Sequence, residues 1–132
     1  MSPRTGIAAS MLLWAALLLG GEATAQPPQD QQFVVIFGTD KSALTPEAQS
    51  VVRLIAAQAR MRHSSAVAVA GYGDGIGDPA QDAALGKARA AAVRRALEAA
   101  GVAPAMLKET PPLPPDKAVG IPVHKVTVTL EP

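Results

Sequence analysis

Two side chains of opposite charge stand out in a chain otherwise rich in alanine and valine. Asp74 lies in the glycine-spaced run Gly71-Tyr72-Gly73-Asp74-Gly75-Ile76-Gly77, and Arg89 follows it on a stretch with helical periodicity. At about 100° per residue, Leu85, Ala92, Val93, Ala96 and Ala100 share one apolar stripe, and Arg89 falls in its middle. Lys87, Arg94, Arg95 and Glu98 take the opposite side, where the charges of a surface helix belong. Burying a guanidinium without replacing its hydrogen bonds costs several kcal/mol, so an acid must meet Arg89. Asp82 shares the stripe but sits roughly 10 Å away along the helix axis, too far for an unstrained bond. Asp74 is the better partner. A carboxylate beside a planar guanidinium complements a zwitterion, the Asp receiving an ammonium and the Arg fork a carboxylate. The alternative is that the two neutralise each other and hold the turn against the helix.

The elements that must position this pair are legible from caps and periodicity. Residues 33–37 (FVVIF) are apolar and β-branched and are followed by Gly38, which reads as a buried strand. Thr45-Pro46-Glu47 gives an N-cap, a proline at the first helical position and an acid in the first turn. The helix they open runs to about Met61, with Ala48, Val51, Val52, Ile55 and Ala59 on its apolar face. Residues 66–70 (AVAVA) form a second, central strand. Asp78-Pro79-Ala80-Gln81 repeats the helix start, and Gly101 closes that helix after Ala100. Residues 106–110 give a weak third strand, 111–115 (PPLPP) an extended loop, and 125–130 (KVTVTL) a strand with one wet face. The expected class is α/β: a single sheet with helices packed on it, in the order β-α-β-α-β-β.

The N-terminus reads as an export signal. Arg4 precedes the apolar run MLLWAALLL, and Ala23-Thr24-Ala25 supplies a small-x-small cleavage pattern, so residues 1–25 are expected to be removed. The run is about half of what a membrane span requires. Residues 26–32 (QPPQDQQ) suit a linker, which leaves 33–132 as one domain. The chain contains no cysteine, which excludes lipid attachment at the cleavage site, disulfides and cysteine-bound zinc. Lys and Arg number 12 against 11 Asp and Glu, and aromatic residues are 3%, so neither a basic face nor stacking platforms for nucleic acid are available.

Other chemistries fail on spacing. The glycines at 71, 73, 75 and 77 do not supply G-x-G-x-x-G, since Ile76 or Asp78 occupies its last position. A calcium β-roll needs tandem repeats, and there is one. His63 and His124 have no second ligand at metal-binding spacing. No serine or threonine sits in an activated-nucleophile motif, so no enzyme, cofactor or metal is expected.

The ordered string of motifs resembles the OmpA-like peptidoglycan-binding domain family. Residues 37–47 are similar to its opening, a strand ending in Phe-Asp and a polar turn leading to Leu-Thr-Pro-Glu, with Gly38 in place of the acid. Gly71-Tyr72-Gly73-Asp74 stands in the place of Gly-His-Thr-Asp. Residues 82–93 follow Asn-x-x-Leu-Ser-x-x-Arg-Ala-x-x-Val, with Asp82 for the Asn, and Val123-His124-Lys125-Val126 stands for Asn-Arg-Arg-Val. The resemblance implies a periplasmic module in which Asp74 and Arg89 hold the free amino-acid end of diaminopimelate in the peptidoglycan stem peptide. It further implies that Asp82 and Leu85 shape the pocket rim and that Lys125 contributes to ligand binding. Other envelope proteins are further expected partners, and a ligand-free structural or protein-interaction domain is the competing reading.

Overall fold

The computed structural model describes residues 29–75, 78–112 and 124–132. The expected export signal, the first part of the linker, the end of the PPLPP loop and Val123 lie outside these residues. Among the described residues there are four strands and two helices: β1 (Gln31–Ile36), α1 (Pro46–Met61), β2 (Ala66–Gly71), α2 (Pro79–Ala99), β3 (Leu107–Glu109) and β4 (Lys125–Glu131). A single 3₁₀ turn, Pro104–Met106, precedes β3. The expected α/β class and element order are present, and β1 begins two residues earlier than its apolar run suggested.

Both helices start where the capping residues place them. The Thr45 hydroxyl accepts from the Ala48 amide at 3.1 Å, and the Asp78 carboxylate accepts from the Ala80 amide at 3.1 Å. Gly101, at φ 103°, follows the end of α2 in the left-handed conformation that lets the chain turn away.

The sheet order is β1-β4-β2-β3. β4 runs antiparallel to β1 and β2, and β2 and β3 pair in parallel across the α2 crossover. Val35, Val67, Val69, Val126, Val128 and Leu130 point from one face of the sheet into a core completed by Val52 and Ile55 of α1 and Val93 and Leu97 of α2. The helices cover this face only. On the other face Val34 and Ile36 of edge strand β1 are exposed. The expected wet face of β4 is drier than its alternation suggested, with Thr127 buried, because β4 lies between two strands rather than at an edge.

The buried stripe of α2 is Gly86, Arg89, Ala90, Val93 and Leu97, rotated slightly from the expected Leu85, Ala92, Ala96 and Ala100, which are partly buried. A backbone contact sets this rotation. A Cβ at Gly71 would lie 1.9 Å from the Gly86 carbonyl oxygen, so strand and helix meet at a distance only glycine permits. That contact draws the first half of α2 onto the end of β2 and turns Arg89 inward.

Candidate functional site

β1 and β2 end at the same pole of the sheet as β4 begins, and α1 and α2 both start there. The turns after β1 and β2 therefore face Arg89, which is completely buried. Its Nη2 lies 2.7 Å from Asp74 Oδ1, the pairing expected from the sequence. The same guanidinium donates through Nε to the Lys41 carbonyl at 2.7 Å, through Nη1 to the Tyr72 carbonyl at 2.9 Å and through Nη2 to the Gly38 carbonyl at 3.0 Å. Its carbon stands 5.5 Å from the centre of the Phe37 ring. Four of the five guanidinium N–H groups are thus engaged inside the protein. This corrects the expected fork. Arg89 points inward and ties two turns to α2, rather than presenting a bidentate face to solvent, because backbone carbonyls in the β1–α1 turn compete for its donors.

Asp74 is buried, yet it gathers donors from three directions. Oδ1 accepts from Arg89 and from His124 Nδ1 at 2.8 Å, and Oδ2 accepts from the Asp40 amide at 2.8 Å. The Arg89 hydrogen bond, against the opposing effect of burial and with help from the Asp40 amide, the Arg89 charge and His124, holds the Asp74 carboxyl below the usual carboxylate range. An ionised Asp74 fixes the proton of the contacting imidazole nitrogen: Nδ1 of His124 must be the donor. A carboxylate has about four acceptor positions. Among the described residues three are filled, leaving one on Oδ2.

Asp82 holds the turn that carries Asp74. Its Oδ1 accepts from the Asp74 amide at 2.6 Å and the Gly75 amide at 2.9 Å, which fastens the turn to the first coil of α2. Asp82 also borders a groove of about 670 Å³ with Tyr72, Gly73, Gly75, Lys87 and Thr110. Leu85 is half-buried on α2 and does not border that groove. Lys125 is not brought to Asp74 either. Its Nζ stands 5.0 Å over the Tyr72 ring, a cation–π contact.

His124 is the residue that spacing alone did not assign. It adopts φ 57°, donates its amide to the Gly73 carbonyl at 3.1 Å and accepts from the Phe37 amide at 2.7 Å, so it joins the ends of β1 and β2. Asp40 also adopts φ 57°. Two non-glycine residues in the left-handed region, both bonded to one carboxylate, mark this pole as held by its surroundings.

The model of the OmpA family matches residues 36–110. No curated protein sequence matches the chain. Among solved structures, the peptidoglycan-associated lipoprotein from Burkholderia pseudomallei is similar at 24% identity and TM-score 0.59, covering 72% of this chain and 86% of that one. The OmpA-like domain of FopA1 from Francisella tularensis aligns at 16% identity and TM-score 0.64, over 80% of this chain and 76% of that one. A periplasmic domain of Helicobacter pylori MotB aligns at 17% identity and TM-score 0.59, over 81% and 86%. These likenesses carry the fold.

Proposed function

Because the chain belongs to the OmpA family, we propose that it is an exported periplasmic domain that grips peptidoglycan non-covalently, through the diaminopimelate of the stem peptide. Family membership supports this reading, as do the similar structures of a peptidoglycan-associated lipoprotein and a periplasmic MotB domain. The export signal over residues 1–25, cleaved after Ala25, would deliver the chain to that compartment. Among the described residues no helix is long and apolar enough to cross a membrane.

The observation that carries the reading is Asp74. Its carboxylate is held ionised by Arg89 and keeps one acceptor position on Oδ2, at the pole where three strand ends and two helix starts meet. An ammonium group is the complement to that position. Arg89 supports the site from behind, and Asp82 fixes the turn that carries Asp74. No enzymatic step is part of this reading.

The test is cosedimentation of the mature protein with purified peptidoglycan. The wild-type chain is expected in the pellet, and Asp74→Asn is expected to lose most of its retention while keeping a cooperative melt. Equal retention of the two proteins contradicts the proposal. The complete burial of Arg89 favours one competing reading, a structural module of the envelope that uses the ion pair only to hold its fold. In that case wild type stays in the supernatant although substitution of Arg89 still lowers the melting temperature.

A further inference from the structure

A zwitterion brings a carboxylate as well as an ammonium, and the guanidinium expected to receive it is fully buried with four of its five donors engaged. Resting on the reading of Asp74 given above, we propose that His124 takes the ligand's carboxylate, through Nε2, so that this chain grips its ligand in a pH-dependent manner.

About a third of the His124 side chain is exposed, against none of Arg89 and 4% of Asp74. It is therefore the basic side chain in direct contact with Asp74 that solvent can reach. Its position is fixed: backbone bonds to Gly73 and Phe37 hold the residue at φ 57°, and Nδ1 is anchored on Asp74 Oδ1 at 2.8 Å. With Nδ1 committed as a donor, Nε2 has two states. In the neutral ring it is a bare lone pair, which repels a carboxylate. In the protonated ring it is a charged N–H, which binds one. Ammonium on Asp74 Oδ2 and carboxylate on His124 Nε2 would then match a free amino-acid end.

The charged groups around the imidazole come from every neighbouring element. Asp74 touches it from the turn after β2, and Arg89 of α2 lies behind Asp74 on the same oxygen. Asp40 and Lys41 of the turn after β1 reach the pair through their backbone amide and carbonyl. Lys125 follows on β4 but is stacked over Tyr72, and Asp82 is engaged with the turn amides. Imidazoles change charge in the interval of about pH 5 to 8. α-Amino groups, the ligand's and the chain's own, change charge close to this interval, so the His124 variants and not the pH profile alone assign the effect.

The experiment titrates the mature protein with meso-diaminopimelate at about pH 5.5 and about pH 8, with cosedimentation on peptidoglycan as a parallel readout. Wild type is expected to bind roughly tenfold more tightly at the lower pH, the size of one charge-assisted hydrogen bond. His124→Asn, a residue that tolerates this backbone conformation, is expected to bind weakly with no pH dependence. His124→Arg, permanently charged, is expected to bind at both pH values. His63→Asn, at the far pole, is expected to keep the wild-type profile. Equal wild-type affinity at the two pH values, or a His124→Asn protein that retains the profile, overturns the role of His124 and leaves the reading of Asp74 standing. Absence of wild-type binding at both pH values, under conditions in which the Burkholderia pseudomallei lipoprotein sediments with the same peptidoglycan, overturns both.

Discussion

The two poles of the domain each carry an arginine that donates to backbone carbonyls across elements, and the contrast shows what gives such a contact weight. Arg89 is completely buried, bonds three carbonyls in two turns and pairs with a buried carboxylate. Arg60, at the pole where both helices end, is exposed and donates through Nη1 to the Ala100 carbonyl at 3.2 Å. Both bridge distant segments. At the Arg89 pole water has been replaced by fixed partners, so removing one group leaves several others unsatisfied. At the Arg60 pole water takes over whatever is lost.

The largest expected effect follows from that difference. Arg89→Met should lower the unfolding free energy by about 3–5 kcal/mol, read from urea denaturation, since it leaves the Asp74 charge buried and the Lys41 and Tyr72 carbonyls without their donor, while the Gly38 carbonyl keeps the Lys41 amide. A loss no greater than that of a surface substitution would place the weight of this pole elsewhere. Gly71→Ala should follow, at about 1–3 kcal/mol, because the added methyl collides with the Gly86 carbonyl and pushes α2 off the sheet. Its companion observable is a disturbed Arg89 environment, visible as shifts of the Tyr72 and Lys41 backbone signals in NMR spectra.

A smaller effect concerns acid. The Asp74 carboxyl is held below the usual carboxylate range chiefly by Arg89, so its stabilisation is complete above the ordinary carboxylate pKa and is lost as pH falls through the depressed value. Unfolding midpoints between about pH 7 and pH 2 should therefore drop steeply at the acid end for wild type, below about pH 4. Asp74→Asn should remove that part of the slope. An unchanged slope would mean that other carboxylates dominate acid unfolding. The smallest effect belongs to the other pole: Arg60→Ala should change stability by no more than about 0.5 kcal/mol.

Much of the fold was legible because it is written in local signals. Thr45-Pro46-Glu47 and Asp78-Pro79 are helix starts whose side chains satisfy nearby amides, and both act as such here. Arg89 with Asp74 was legible for another reason: a guanidinium on an apolar stripe has few places to put its charge. The direction of that guanidinium was not, since its other acceptors are the carbonyls of Gly38, Lys41 and Tyr72, and backbone groups leave no trace in residue types. His124 was placed beside Lys125 by the resemblance but not assigned to the site, because its contact with Asp74 depends on how β4 pairs with its neighbours. A step of one residue changes the environment of a side chain at a strand end: His124 reaches Asp74, while Lys125 enters the strand and lies over Tyr72. Leu85 is half-buried at the border of the stripe, because the Gly71–Gly86 contact rotates α2.

Of the two poles, the one at Asp74 is proposed to bind the ligand. Amide and imidazole NMR signals followed during titration of the mature protein with meso-diaminopimelate test this most directly. Saturable shifts confined to Asp40, Asp74, Gly75, Asp82 and His124, with Arg60 and Gly101 unmoved, are the predicted result. Shifts confined to the Arg60 pole, or none at saturating ligand, would contradict it.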